Sequence, residues 1–205
     1  KGIRLNKIYQ YYIELNVGHN TAWRRFLVEG CATFHTLHQV IQVVMGWENQ
    51  QPYRFIISGK SFSPDCQCDD TSIKSSMTTK LSDIEWKKGQ VTIYSYGIEE
   101  DWTCSLVAEN ILEKDPQQSY PRCLAGEKAS PAEECGGIDE YEFLLESIQD
   151  KDHEEYEDAI NWLGCDFNSD AFDLALINEL LQHPHSYSDE IEHFVDVESL
   201  KHSSI

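Results

Sequence analysis

The chain has 205 residues, 40% of them hydrophobic and 11% aromatic, which suits a globular protein with a real core and excludes a disordered chain. Its formal net charge is −20. That charge sets it against phosphate backbones and anionic membrane surfaces, so no nucleic-acid partner, no membrane and no useful affinity for duplex DNA at physiological salt are expected.

Residues 8–15 alternate, with Tyr9, Tyr11, Ile13 and Leu15 on one side, which predicts a half-buried strand. A turn at Val17-Gly18-His19-Asn20 leads to a returning strand over Trp23–Val28, so the two form a hairpin. The adjacent Arg24 and Arg25 are placed on the polar face of that strand. Thr33 caps a helix over 33–45 whose apolar residues Phe34, Leu37, Ile41 and Val44 recur at helical spacing, with Gly46 as its left-handed stop. His35 and His38 are read as surface or core-edge residues rather than metal ligands. A third strand covers Tyr53–Ser58. Residues 60–80 are polar and rich in Ser and Thr, and are read as a mobile insertion carrying Cys66 and Cys68. A fourth strand covers Val91–Tyr96, an acidic loop follows at Gly97–Asp101, and a fifth strand covers Trp102–Ile111.

The stretch 113–137 holds three of the six prolines, two of the seven cysteines and a Gly-Gly pair, and is read as an ordered irregular loop on which the chain pivots. After it the pattern is helical. Tyr141, Leu144, Leu145 and Ile148 form one stripe; Tyr156, Ala159, Ile160 and Leu163 a second; Phe172, Ala175, Leu176 and Leu180 a third, with Asn168 and Ser169 as cap candidates. The fold class is α+β: a mixed sheet with a strand-strand-helix-strand opening, then a C-terminal three-helix segment packed on the same unit. Residues 1–182 form one domain, strand-rich over 8–112 and helical over 138–182. Residues 183–205 are a polar tail.

Seven cysteines cannot all pair internally. With no apolar region behind Lys1–Lys7 that suits a signal peptide and no run long enough to span a bilayer, a cytoplasmic protein with reduced thiols is expected.

Motif-scale chemistry is sparse. Asp166-Phe167-Asn168-Ser169-Asp170 opens like a calcium loop, but Ala171 stands where glycine is required and Ile177 where glutamate is required. Glu99, Glu100 and Asp101 form a carboxylate cluster beside Trp102, for which a solvated loop is the simpler meaning. Cys104, Cys123 and Cys135 are the candidate metal set: prolines and glycines let the ends of the pivot loop meet, and the preceding strand brings Cys104 toward them. Three thiolates and a fourth ligand would bind zinc, the one cofactor the residues suggest. The same sulfurs also read as buried small hydrophobes, and Cys123 with Cys135 as a disulfide.

Trp23-Arg24-Arg25, Leu37-His38-Gln39-Val40-Ile41-Gln42, Met45-Gly46-Trp47 and Tyr53–Gly59 stand in one order with Asp101-Trp102, Tyr120–Gly126, Cys135-Gly136-Gly137, Tyr141-Glu142 and Trp162–Phe167. Together they make the chain resemble the Ri-plasmid Orf-three-like family, also described as insertion-element passenger proteins of TnpR type, over roughly residues 8–181. The resemblance implies an α+β fold whose strand-strand-helix-strand opening is β-grasp-like, and no established activity. It also implies departures at Gln51, Tyr53 and Cys104, where many relatives carry histidine, and at Ser130, where many carry cysteine. The resolvase hint in the TnpR label meets no nucleophilic serine among arginines and no basic DNA-binding segment.

Three functions stay open. The first is a non-catalytic interaction or accessory module of mobile elements with an unknown protein partner. The second is a zinc-dependent enzyme using the Cys104/Cys123/Cys135 region. The third is an acidic nucleic-acid mimic.

Overall fold

The computed structural model describes residues 6–15, 17–18, 20–64, 73–97, 102–164 and 167–182. Eight strands form one sheet: β1 (Lys7–Leu15), β2 (Ala22–Glu29), β3 (Tyr53–Ile57), β4 (Lys60–Ser63), β5 (Ile73–Ser75), β6 (Gln90–Tyr96), β7 (Trp102–Glu113) and β8 (Arg122–Glu127). Their spatial order is β5-β4-β3-β6-β7-β1-β2-β8. Every pairing is antiparallel except β4 with β5. Four α-helices complete the described fold: α1 (Phe34–Met45), α2 (Ile138–Ser147), α3 (Tyr156–Leu163) and α4 (Leu174–Leu181). The protein is therefore a mixed α+β structure. The strand that follows α1 does not join the hairpin directly, because β6 and β7 stand between β3 and β1.

The hairpin follows from its alternation. Tyr9, Tyr11, Ile13 and Leu15 are all buried, while Gln10, Tyr12 and Glu14 face outward between them. Thr33 caps α1, its side chain accepting from the Thr36 amide, and Gly46 ends the helix at φ 73°. α1 lays Phe34, Leu37, Ile41 and Val44 on the inner face of the sheet. There the Phe34 ring stacks on Phe62 at 4.2 Å, and Trp86 meets Tyr11 edge-on at 5.3 Å. The same buried cluster takes in Tyr141 and Leu145 from α2 and Leu181 from α4.

Two parts of the sheet differ from the sequence reading. The polar stretch 60–80 contains β4 and β5. β4 forms because Ser58 at φ 49° and Gly59 at φ 76° make the two-residue turn, with both φ positive, that suits a right-twisted hairpin. The pivot stretch contains β8, which pairs with β2 from Trp23 to Leu27 and closes that edge. The cap of α4 is also displaced: Asp173, not Asn168 or Ser169, accepts from the amides of Ala175 and Leu176.

Candidate functional site

The structure separates the proposed sulfur set. Cys104 lies on β7 opposite Tyr94, and Cys123 lies on β8 opposite Phe26. β1 and β2 stand between those strands, so three strand spacings hold the two residues roughly 14 Å apart across the sheet, and their registers offset them further along it. One ion cannot take both. Cys123 instead points its thiol at the carbonyls of Arg25 and Ala125, and Cys135 points its thiol at the carbonyl of Gly137. None of the three is in a disulfide. Among the described residues no three His, Cys, Asp or Glu side chains group so as to hold a metal. Cys66, Cys68, Glu99, Glu100, Asp101 and Asp166 lie outside the described residues.

Burial raises the thiol of Cys104 well above its ordinary value and pushes that of Cys123 up to about 11. The thiolate is the reactive form. Brief maleimide treatment of the native protein at neutral pH is therefore expected to label exposed Cys31 well before Cys104, as mapped by peptide mass spectrometry. Equal rates would place Cys104 in an open site.

A second cluster was only half legible. His38 and Gln42 lie four apart on the buried stripe of α1 and are both 0% exposed. With Tyr94 and Asn49 they close a ring of hydrogen bonds. The Gln42 amide donates to Tyr94 Oη at 2.9 Å. Tyr94 Oη lies 2.8 Å from His38 Nδ1, and His38 Nε2 lies 2.6 Å from Asn49 Oδ1. The Asn49 backbone amide returns to Gln42 Oε1 at 2.9 Å. Asn49 Oδ1 only accepts, so Nε2 carries the imidazole proton and Nδ1 accepts from Tyr94. Burial, reinforced by His35, holds the His38 pKa down to about 3, against the bond to Asn49. The Tyr53 ring stacks on His38 at 3.6 Å, and its hydroxyl links Ser76 at 2.7 Å to His35 Nδ1 at 2.9 Å. The sequence signal for this cluster was the pair of polar residues on an apolar helical stripe.

The pivot loop is clamped from both sides. Successive strand residues face opposite ways, so the two arginines part company: Arg24 is 4% exposed on the inner side, while only Arg25 faces outward. Arg24 donates from Nε to the Val44 carbonyl, from Nη1 to Trp23 and Glu127, and from Nη2 to Lys128 and to Ser130 Oγ. The chain comes this close only because residue 126 is glycine: a Cβ there would stand 2.6 Å from the Phe172 ring and 2.8 Å from the Trp23 carbonyl. From the loop, the Glu133 carboxylate accepts from Tyr96 Oη at 2.8 Å and from the Asn49 and Glu48 amides. Trp47 Nε1 reaches the Pro131 carbonyl at 3.0 Å.

The outer face of the sheet is the open surface. Val91 is 55% and Ile93 44% exposed. Ile56 pairs with Ile93, Val91 with Val107, and Val107 with Tyr12, so these apolar side chains are cross-strand neighbours. Beside them Tyr12 stacks on Trp23 at 5.6 Å, and the Arg25 guanidinium lies 5.6 Å from Tyr12 and 5.4 Å from Trp23. Arg25 also makes a two-pronged bond to Glu109, at 2.7 and 2.8 Å. That bond holds the Glu109 carboxyl below its usual range. An open hollow of about 580 Å³ runs between Gln10, Arg25, Lys88 and Glu109.

Residues 7–176 match the family described as plasmid pRiA4b ORF-3-like protein. The chain belongs to that family. It is similar to the uncharacterized protein y4hQ of Sinorhizobium fredii, 27% identical over 158 residues that span 76% of this chain and 81% of the relative. It is also similar to the crystal structure of MM3350 from Methanosarcina mazei Go1, a protein of unknown function. The TM-score there is 0.74 at 31% identity, covering 82% of this chain and 96% of the other.

Within this ORF-3-like chain, three of the four positions at which the resemblance implies departures gather at one place. Tyr53 stacks on His38, Cys104 stands opposite Tyr94, and the Gln51 amide donates to Tyr96 Oη at 3.2 Å. Ser130 instead meets Arg24 and the Met45 sulfur. Among the described residues no helix is long and apolar enough to cross a membrane.

Proposed function

We propose that this ORF-3-like protein is a non-catalytic interaction module, an accessory protein of mobile elements whose working surface is the outer face of the sheet. One observation carries the reading. Val91 and Ile93 put two large apolar side chains on the outer face of β6, where an antiparallel strand with one solvated face normally carries polar residues, and both stand open to solvent. Trp, Tyr and Arg are the residues that most often dominate protein interfaces, and Trp23, Tyr12 and Arg25 lie next to this patch. The family's description after a plasmid reading frame supports the accessory role.

Photo-crosslinking amino acids placed at positions 91 and 93 in the native host test the reading. Covalent adducts are expected from both positions and not from position 157, which is exposed on α3. No adduct from 91 or 93, or the same adducts from 157, would remove the outer face as the working surface.

A further inference from the structure

We infer that the chain's own C-terminal tail, residues 183–205, occupies the outer sheet face until a partner displaces it. The inference rests on reading that face as the working surface and goes on to name its resting occupant. Charge is the first argument. The cations of the face are Arg25, Arg54 and Lys88, and its anions are Glu14, Glu109 and Glu127. All three anions are engaged within the face. Glu109 accepts from Arg25 and Gln10, Glu14 from the Tyr12 hydroxyl, and Glu127 from Trp23 Nε1. Among the described residues Arg54 and Lys88 form no ion pair. They stand at the two ends of the apolar strip on β6, so the complementary occupant is an apolar segment with a carboxylate at each end.

The tail has that sequence. Asp189 and Glu190 precede the stretch from Ile191 to Val197, which also holds Phe194 and Val195, and Glu198 follows it. Reach is the second argument. Gln182, the last described residue, donates from its side chain to the Pro121 carbonyl at 3.2 Å, so the tail sets out from the β8 edge. Arg122, Leu27 and Gln10 lie in register at that end of the sheet. Gln10 belongs to the hollow that crosses β2, β1 and β7 to Lys88, which gives the tail an open path. From β8 to β6 is four strand spacings, roughly 19 Å. Residues 183–189 span roughly 23 Å when extended, which brings Glu190 to Lys88. Arg54 pairs with Ser95, about 23 Å further along β6, and residues 190–198 extend over roughly 26 Å. Glu198 therefore meets Arg54 while the apolar stretch lies over Val91 and Ile93.

A photo-crosslinking amino acid at position 93 of the purified full chain, irradiated at low micromolar concentration, tests the inference. The expected product is an adduct within one chain to residues 189–198, mapped by peptide mass spectrometry; position 91 is the second site should the first variant fold poorly. Glu190→Lys with Glu198→Lys should reduce that adduct several-fold, and adding Arg54→Glu with Lys88→Glu should restore it, a rescue that simple loss of stability cannot mimic. No tail adduct from either position, an adduct to a second copy of the chain instead, or capture of the tail only from position 176 beside the exposed leucines of α4, overturns the inference. If the purified chain gives no tail adduct while crosslinks to another protein form in the host, this inference falls and the working surface stands. If neither forms, both fall.

Discussion

Replacing Arg24 by alanine is expected to cost about 3–5 kcal/mol of folding stability, as breaking a buried, fully bonded charged group does. Small domains hold roughly 5–15 kcal/mol in all, so the variant stands at the edge of unfolding. All five N–H groups of the guanidinium are used, four of them on backbone carbonyls and the fifth on Ser130 Oγ. The cation gains a further contact from the Phe172 ring, 4.9 Å away. Burial draws its pKa down to about 10, so it remains charged at neutral pH. Truncation leaves the carbonyls of Val44, Glu127 and Lys128 without this donor and opens a hole between α1 and the loop. Arg24→Lys should recover only part of the loss, because an ammonium lacks the planar fork that reaches three segments at once. Urea unfolding at neutral pH measures the cost, and hydrogen exchange should show protection lost first over residues 127–137. A cost below about 1 kcal/mol, the value of a single surface contact, would mean that the loop is held by other means.

What the sequence disclosed follows from how local each cause is. β1 announces itself by alternation, β2 by the turn that returns the chain, and α1 by Thr33, Gly46 and its apolar stripe, because those signals act within a few residues. β8 gives no such signal. Arg122–Glu127 has no clean alternation and contains Gly126, and it is a strand because β2 pairs with it on one side. On the other side Asn178 of α4 satisfies both the amide and the carbonyl of Cys123, at 2.9 and 3.0 Å. Arg24 is the same lesson in a single residue. Period two sends one of two adjacent arginines inward, but the cost of burying a cation argues against it until the carbonyls of a loop about a hundred residues later are supplied. The three cysteines failed in the opposite way. Proline and glycine content permits a loop to close, but strand order decides what it closes on, and β1 and β2 intervene.

That distant pairing also sets how the protein should respond to acid. Between pH 6.5 and pH 4.5 His38 is expected to cost the fold about 2–3 kcal/mol. The sign follows from its depressed pKa. Below about 6.5 the unfolded chain protonates this imidazole, while the folded protein holds it neutral down to about 3. The unfolded state therefore binds more protons across that window, and stability falls as pH falls. The hydrogen-bond ring gives the structural reason. A proton on Nδ1 would set a donor against the Tyr94 hydroxyl, which already receives from Gln42 and gives to His38. His35, also lowered by burial, adds a smaller loss of the same sign. Neutralising carboxylates in a chain of −20 acts in the other direction by relieving repulsion, so the raw profile mixes the two. The comparison that isolates His38 is the difference between wild type and His38→Gln, each unfolded by urea at half-unit steps of pH. The variant should be less stable at pH 7, since glutamine cannot span Tyr94 and Asn49 together, and the gap should narrow steadily toward pH 4.5. A gap that stays constant over that range would show that the folded protein takes up the proton at His38 as readily as the unfolded chain does.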